Sequence, residues 1–325
     1  MVGYGIEKKN DRRELTANDY GEAGIVSGIA TRCIIQPLDV LKIRFQLQEE
    51  AISGINPGKY SGVKQAVVLI FKEEGITAFW KGHVPAQGLS AVYGLVQFTS
   101  FEILTKKSKQ FEIANRKRKV TDFVCGAVAG CSAMIAASPL DVIRTRLIAQ
   151  GSLKVYRGMI NASCLMWERE GIRSFFRGLS PSLVYIAPYT GFLELFGVFF
   201  YQNFFLLGLQ FTLFNWFSGI WTKLTGREET QGALICGALS GASAKTILYP
   251  FDMVRHRLQL RGFHRIGFGK TTQYRTMVGT LVHVIRNESF FGLFKGLFPS
   301  ILKAAVSTGF AFLFYDVALD IIRSL

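Results

Sequence analysis

The sequence predicts an all-α membrane protein built from three similar units around a polar interior. Three observations carry that reading. A stretch of the form Pro-x-Asp-x-x-basic-x-basic occurs at 37–44, 139–146 and 250–257. Nine residues before each proline stands a glycine (Gly28, Gly130, Gly241), and four before that another (Gly24, Gly126, Gly237). The period is roughly 100 residues, so each copy reads as one unit of a larger fold. Finally, 49% of the 325 residues are hydrophobic and mean hydropathy is +0.25, yet each long apolar stretch carries a few polar residues. Helices lining an aqueous cavity fit that mixture better than helices facing lipid all round.

The chain opens with a polar, mixed-charge tail, 1–18. It lacks the apolar core of a signal peptide and the acid-free character of a presequence, so insertion is expected to use internal signals. The first unit, 19–110, begins with a helix predicted over 19–48, with Asp19 or Asn18 as N-cap. The Gly24/Gly28 pair should let a neighbouring helix approach closely, and Pro37 should kink the helix. A polar loop, 49–60, is broken by Gly54, Pro57 and Gly58. A short amphipathic helix over 61–74 leads into Glu-Gly-Ile-Thr-Ala-Phe-Trp-Lys-Gly at 74–82, then a long helix over 83–107.

The second unit, 118–225, repeats the plan with helices at 120–149 and 158–169, a linker at 170–178 and a long helix from 179. The third, 229–325, has helices at 230–259, 275–287 and 297–322. Its linker carries Ser289 where the others carry glycine, which makes that copy the least regular. The uncharged stretch 204–221 is long enough to span a membrane. A seventh span would invert the last unit, so the stretch is expected to extend the fourth long helix and then form an interfacial turn at Trp216 and Trp221.

The formal charge of +15 suits an anionic lipid surface or an anionic substrate drawn into the cavity. Nucleic acid is disfavoured, because no such motif occurs and the bases are spread over all three units. The five cysteines show no paired spacing and read as reduced, buried thiols. Four histidines (His83, His256, His264, His283) stand at no metal-ligand spacing and no nucleophile motif occurs, so catalysis is not expected.

Three Pro-x-Asp-x-x-basic copies, each followed by acid-x5-aromatic-basic-Gly, resemble the mitochondrial carrier family over about 20–322. The resemblance implies six tilted transmembrane helices in pseudo-threefold symmetry, with three short helices on the matrix side. It implies a monomer in the mitochondrial inner membrane that works by alternating access, without a cofactor. It implies a matrix gate in which each aspartate pairs with the base of the next unit: Asp39 with Arg144, Asp141 with Arg255 and Asp252 with Lys42. Gln46 and Gln259 would brace two of these pairs; the second unit has Ile148 instead. Gly62, Gly82, Gly158, Gly178 and Gly296 would hold cardiolipin at helix starts, or else only permit turns. Thr276 puts the equivalent third site in doubt. At the opposite end Glu102 and Asp316 lack the expected bases, since Thr105 and Leu319 stand there. Closure on that side is expected from small residues, Ala187/Gly191 and Ala305/Gly309.

Positions that break the threefold pattern should read the cargo. Five residues before each proline stand Arg32, Met134 and Lys245; seven after each linker glycine stand Leu89, Tyr185 and Lys303. Three bases inside apolar helices, without matching acids, suit a di- or triphosphate. Leu89, Tyr93, Tyr185 and Ile186 could stack a flat heterocycle, and Gln97 could hydrogen-bond it. Glu194 could face a cationic ring or pair with Lys245 or Arg32. Within the family, 43–48, 78–87 and 302–310 resemble members that carry thiamine pyrophosphate. That implies thiamine pyrophosphate as cargo, exchanged for nucleotides, with an adenine-nucleotide or coenzyme A carrier as the alternative.

Overall fold

A computed structural model describes residues 16–50, 58–108, 118–183, 216–217, 220, 230–263, 272 and 274–324. Every regular element among them is helical. In unit 1 these are α1 (Ala17–Leu47), α2 (Val63–Glu74) and α3 (His83–Ser108). In unit 2 they are α4 (Arg118–Ala149), α5 (Met159–Glu170) and α6, described over 179–183. In unit 3 they are α7 (Thr230–Gln259), α8 (Met277–Glu288) and α9 (Leu297–Ser324). A 3-10 turn precedes each second long helix: Ile76–Trp80, Ile172–Phe176 and Phe290–Phe294.

Helix α1 starts at Thr16 rather than at Asn18 or Asp19. The Thr16 hydroxyl accepts from the Asp19 amide at 3.4 Å, and the Asp19 carboxylate accepts from the Thr16 amide at 2.7 Å. This reciprocal capping box makes Asp19 the third helical residue. The helices run on through Pro37, Pro139 and Pro250. A proline cannot donate to the carbonyl four residues back. For Pro37 that carbonyl belongs to Cys33, and it accepts instead from the Trp80 indole at 3.0 Å.

Each short helix packs on the first long helix of its own unit. Leu41 and Phe45 meet Tyr60, Ile70 and Phe79; Tyr249, Met253 and Leu258 meet Tyr274, Val284 and Leu293. A third cluster crosses the unit boundaries, joining Val40, Ile43 and Leu47 of α1 to Val142, Leu147 and Ile148 of α4 and to Leu260 and Phe263 beyond α7. Laterally, α3 runs along α4, and α9 closes back on α1. By length and composition, 19–47, 124–149 and 290–323 can cross a membrane. Ile25, Val26, Leu95, Phe98, Leu313 and Val317 are exposed along the long helices.

Two expectations need correcting. Among the described residues nothing lies within 4 Å of a Cβ built on Gly24 or Gly28, so none of the described helices approaches closely there. The seam with α9 lies on another face of α1, through Ala23 against Ala318 and Leu319 and through the Ser27 hydroxyl, which donates to the Ala311 carbonyl at 2.7 Å. The thiols are not uniformly buried: Cys125 is, Cys33 and Cys131 are half-buried, and Cys164, on the outer face of α5, is exposed. The stretch 204–221 lies outside the described residues except for Trp216, Phe217 and Ile220.

Candidate functional site

Where the C-terminal halves of α1, α4 and α7 converge, the three aspartates face the bases of neighbouring units. Arg144 reaches Asp39 at 2.5 Å and Lys42 reaches Asp252 at 2.6 Å. Arg255 engages Asp141 through both Nε, at 3.1 Å, and Nη2. Asp39 and Asp141 are buried, where an unpaired carboxylate would be costly. The Gln46 amide donates to Asp252 at 3.1 Å, and the Gln259 amide donates to Asp141. Two residues that sequence reasoning missed join this layer. The Thr145 hydroxyl donates to Gln259 Oε1 at 2.6 Å, and His256 Nδ1 lies 3.0 Å from the same oxygen. They occupy the unremarkable position between the two motif bases, where unit 1 has Ile43.

A second charged layer lies beyond the first. Arg44 grips Glu74 with both terminal nitrogens, at 2.6 and 2.7 Å, and Arg146 grips Glu170 at 2.5 and 3.0 Å. Arg257 grips Glu288 in the same way. Each fork also donates to a tyrosine hydroxyl: Tyr60, Tyr156 or Tyr274. The linker bases Lys81, Arg177 and Lys295 add a second cation to each glutamate. Each arginine then donates across a unit boundary to backbone carbonyls: Arg44 to Ile148 and Gln150, Arg146 to Gln259 and Arg261, Arg257 to Gln46 and Gln48. Burial alone would push the Glu74 and Glu170 carboxyls up; hydrogen bonds from Arg44 and Arg146 outweigh it and hold both below the usual glutamate range. The signal was present, since the second motif base and the linker acid each recur threefold. Their separation in sequence hid the pairing.

The linker glycines sit at left-handed φ values of 74° (Gly82), 77° (Gly178) and 84° (Gly296). A Cβ there would meet the carbonyl oxygen of a gate base in the next unit: Arg144 at 3.0 Å, Arg255 at 2.8 Å and Lys42 at 2.8 Å. Conformation and close approach both demand glycine. Gly62 and Gly158 differ: they are extended and cap α2 and α5 without any side-chain bond, leaving helix-start amides open. At the third such start the Thr276 hydroxyl accepts from the Gly279 amide at 3.1 Å. Ser289, the departure from the linker glycine, keeps the same left-handed turn at φ 71°.

The three cargo bases are not free-standing. Arg32 donates to the Ala86 carbonyl at 3.3 Å, and Lys245 donates to the Ser300 carbonyl. Lys303 lies 2.6 Å from Asp39 Oδ1, so the expectation that it has no matching acid is overturned. Helix α9 returns beside α1 and places Lys303 over the gate. Tyr93 is buried with Ala133, Met134 and Ala137 in the α3–α4 seam, with Leu89 packed against that cluster. Its ring is therefore spent on packing in this state. Gln97 is half-buried and makes no side-chain hydrogen bond among the described residues. Tyr185, Ile186, Glu194, Ala187 and Gly191 lie outside the described residues. At the far end, Glu102 pairs with Lys106 of its own helix at 2.7 Å, and Asp320 with Arg323 at 3.5 Å. Among the described residues no ion pair joins units there. Ala305 is exposed, and nothing lies within 4 Å of a Cβ on Gly309.

The arrangement binds charge at two levels: arginine–glutamate forks in one layer, and in the other the aspartate–base pairs, which Lys303 joins through Asp39. Comparison with known proteins agrees with that architecture. The pattern described as mitochondrial carrier protein matches residues 14–111, 115–206 and 226–324. The mitochondrial thiamine pyrophosphate carrier of Homo sapiens is 42% identical over 323 residues, covering 97% of this chain and 95% of the relative. That of Macaca fascicularis matches to the same extent. The mitochondrial thiamine diphosphate carrier 2 of Zea mays is 34% identical over 347 residues, covering 99% and 98%.

Proposed function

The chain belongs to the mitochondrial carrier family, and from that premise we propose that it exchanges thiamine pyrophosphate for nucleotides. It is a transporter of the inner membrane and not an enzyme. The long helices of the three units supply six spans, with α2, α5 and α8 on the matrix side, and one copy of the chain suffices. The Asp39–Arg144, Asp141–Arg255 and Asp252–Lys42 pairs form the matrix gate, braced by Gln46 and Gln259. Amides at the starts of α2 and α5, with those near Gly82, Gly178 and Gly296, receive cardiolipin phosphates.

The reading rests above all on one observation: Lys303, one of the three cargo bases, lies 2.6 Å from Asp39 within the set of ion pairs that join the three units. A diphosphate entering from the cytosolic side meets these bases as charge-assisted donors. Gln97, Leu89, Tyr185 and Ile186 serve the heterocyclic end, and Glu194 stands ready for the cationic ring or for a neighbouring base. Cargo binding supplies the differential free energy that parts the ring, and the units rearrange to the matrix-open state.

An adenine-nucleotide or coenzyme A carrier would use the same three bases, so the cargo must be measured. Purified protein in liposomes is loaded and assayed with thiamine pyrophosphate, ADP and coenzyme A. Uptake of thiamine pyrophosphate that depends on internal nucleotide supports the reading. Movement of ADP or coenzyme A alone overturns it.

A further inference from the structure

The gate is not symmetric, and the asymmetry falls on Asp39. Asp252 has a second donor in Gln46, and Asp141 has one in Gln259. The corresponding brace for Asp39 would come from position 148, which is a buried isoleucine. The second oxygen of Asp39 is taken instead by Lys303 at 2.6 Å, from α9 of the third unit. Among the described residues Arg144 binds Asp39 through Nη2 alone, and its buried Nε finds no partner. The corresponding Arg255 uses two nitrogens on Asp141. One carboxylate of α1 thus holds a base from each of the other two units, and one of those bases belongs to the cargo set.

We propose that Lys303 is the third brace of the gate, and that anionic cargo releases it. The proposal rests on the transport reading above. A glutamine brace is indifferent to a passing diphosphate, because it carries no charge. Lys303 is not: a phosphate competes with Asp39 for the same ammonium group, and its own negative charge weakens the attraction of Arg144 for Asp39. Cargo therefore loosens the joint between units 1 and 2 first, while the glutamine-braced joints still hold. The coupling from binding to opening is a transferred ion pair.

The test uses the full chain, purified and reconstituted. In thermal unfolding without cargo, K303M should lower the midpoint by a few degrees, because Asp39 loses a donor. I148Q in that background should restore most of the loss by supplying the missing amide. K303Q, which keeps a donor but no charge, should unfold near the wild-type temperature and show a smaller shift with thiamine pyrophosphate than wild type, since Arg32 and Lys245 remain. I148Q alone, with every cargo base intact, should slow exchange severalfold with little change in half-saturating concentration, because a permanent brace now resists release. The proposal is overturned if K303M leaves the midpoint unchanged or raises it, if I148Q fails to restore it, or if I148Q alone exchanges at the wild-type rate. Should wild type move ADP or coenzyme A and not thiamine pyrophosphate, the cargo reading fails separately, and the I148Q rate is scored on the anion that moves.

Discussion

The carbonyl oxygen of Arg255 lies 2.8 Å from where a Cβ on Gly178 would stand. The same glycine has φ 77°, so an alanine there meets strain and a backbone clash together. Gly171 shares the left-handed turn at 71° but has nothing within 4 Å. At φ 71°, ψ 178° Gly171 sits in a region almost confined to glycine, so we expect G171A to cost about 1–3 kcal/mol and G178A clearly more, with exchange falling only in the latter. Thermal unfolding and liposome uptake of the two variants make the comparison. Equal effects would mean that close approach to the gate helix is unimportant.

Asp141 accepts from Arg255 and from Gln259 at once. D141N leaves the Arg255 cation facing a neutral amide. Removing one partner of a buried pair costs about 3–5 kcal/mol. Exchange should drop at least tenfold, or about 1.4 kcal/mol in barrier terms. A passive channel, which needs no remade ring, would keep its conductance, so electrical recording on the same variant separates the two.

Acid should weaken the second charged layer. Glu74 is held below its ordinary value of 4.5: burial opposes ionisation, but hydrogen bonds from Arg44 and Lys81 prevail. A depressed folded-state value means that stability is present above pH 4.5 and is lost as pH falls through the folded value. Glu170 shifts in the same direction. E74Q should therefore lower the unfolding midpoint at neutral pH and flatten, without abolishing, its decline below pH 4.5. A decline as steep as in wild type would show that Glu74 takes no part.

Thr276 answers with its own hydroxyl a helix start that Gly62 and Gly158 leave open. If cardiolipin uses open starts, G158T should reduce its thermal stabilisation of the protein, and T276G should increase it. Titration of each variant with cardiolipin gives the answer, with phosphatidylcholine as control.

Much of this was legible before any coordinates. The aspartate–base pairing across units, the glutamine contacts and the helix limits to within about two residues follow from residues that recur threefold, since the resemblance supplies their geometry. What recurs but lies far apart was harder. Arg44 and Glu74 are 30 residues apart, and only the return of α2 beside α1 brings them together. What occurs once was hardest. The ion pair between Lys303 and Asp39 has no counterpart in the other units, so no pattern announces it. Gly24 and Gly28 misled for the opposite reason: they recur, but among the described residues nothing packs against them, and a glycine marks free space as readily as close contact.

The polypeptide runs from unit 1 to unit 2 and from unit 2 to unit 3, but nothing covalent leads from unit 3 back to unit 1. At that seam Lys295 donates to the carbonyls of Gln48, Glu49 and Glu50, and Glu49 in turn receives the amide and hydroxyl of Thr272 at 2.8 and 2.6 Å. These hydrogen bonds form part of the clasp of the bracelet where the chain offers no link. Together with the packing of α9 on α1 and the Lys42–Asp252 and Lys303–Asp39 pairs, they hold unit 3 to unit 1 by non-covalent contact alone, so loosening this seam parts the two ends of the chain without straining the backbone.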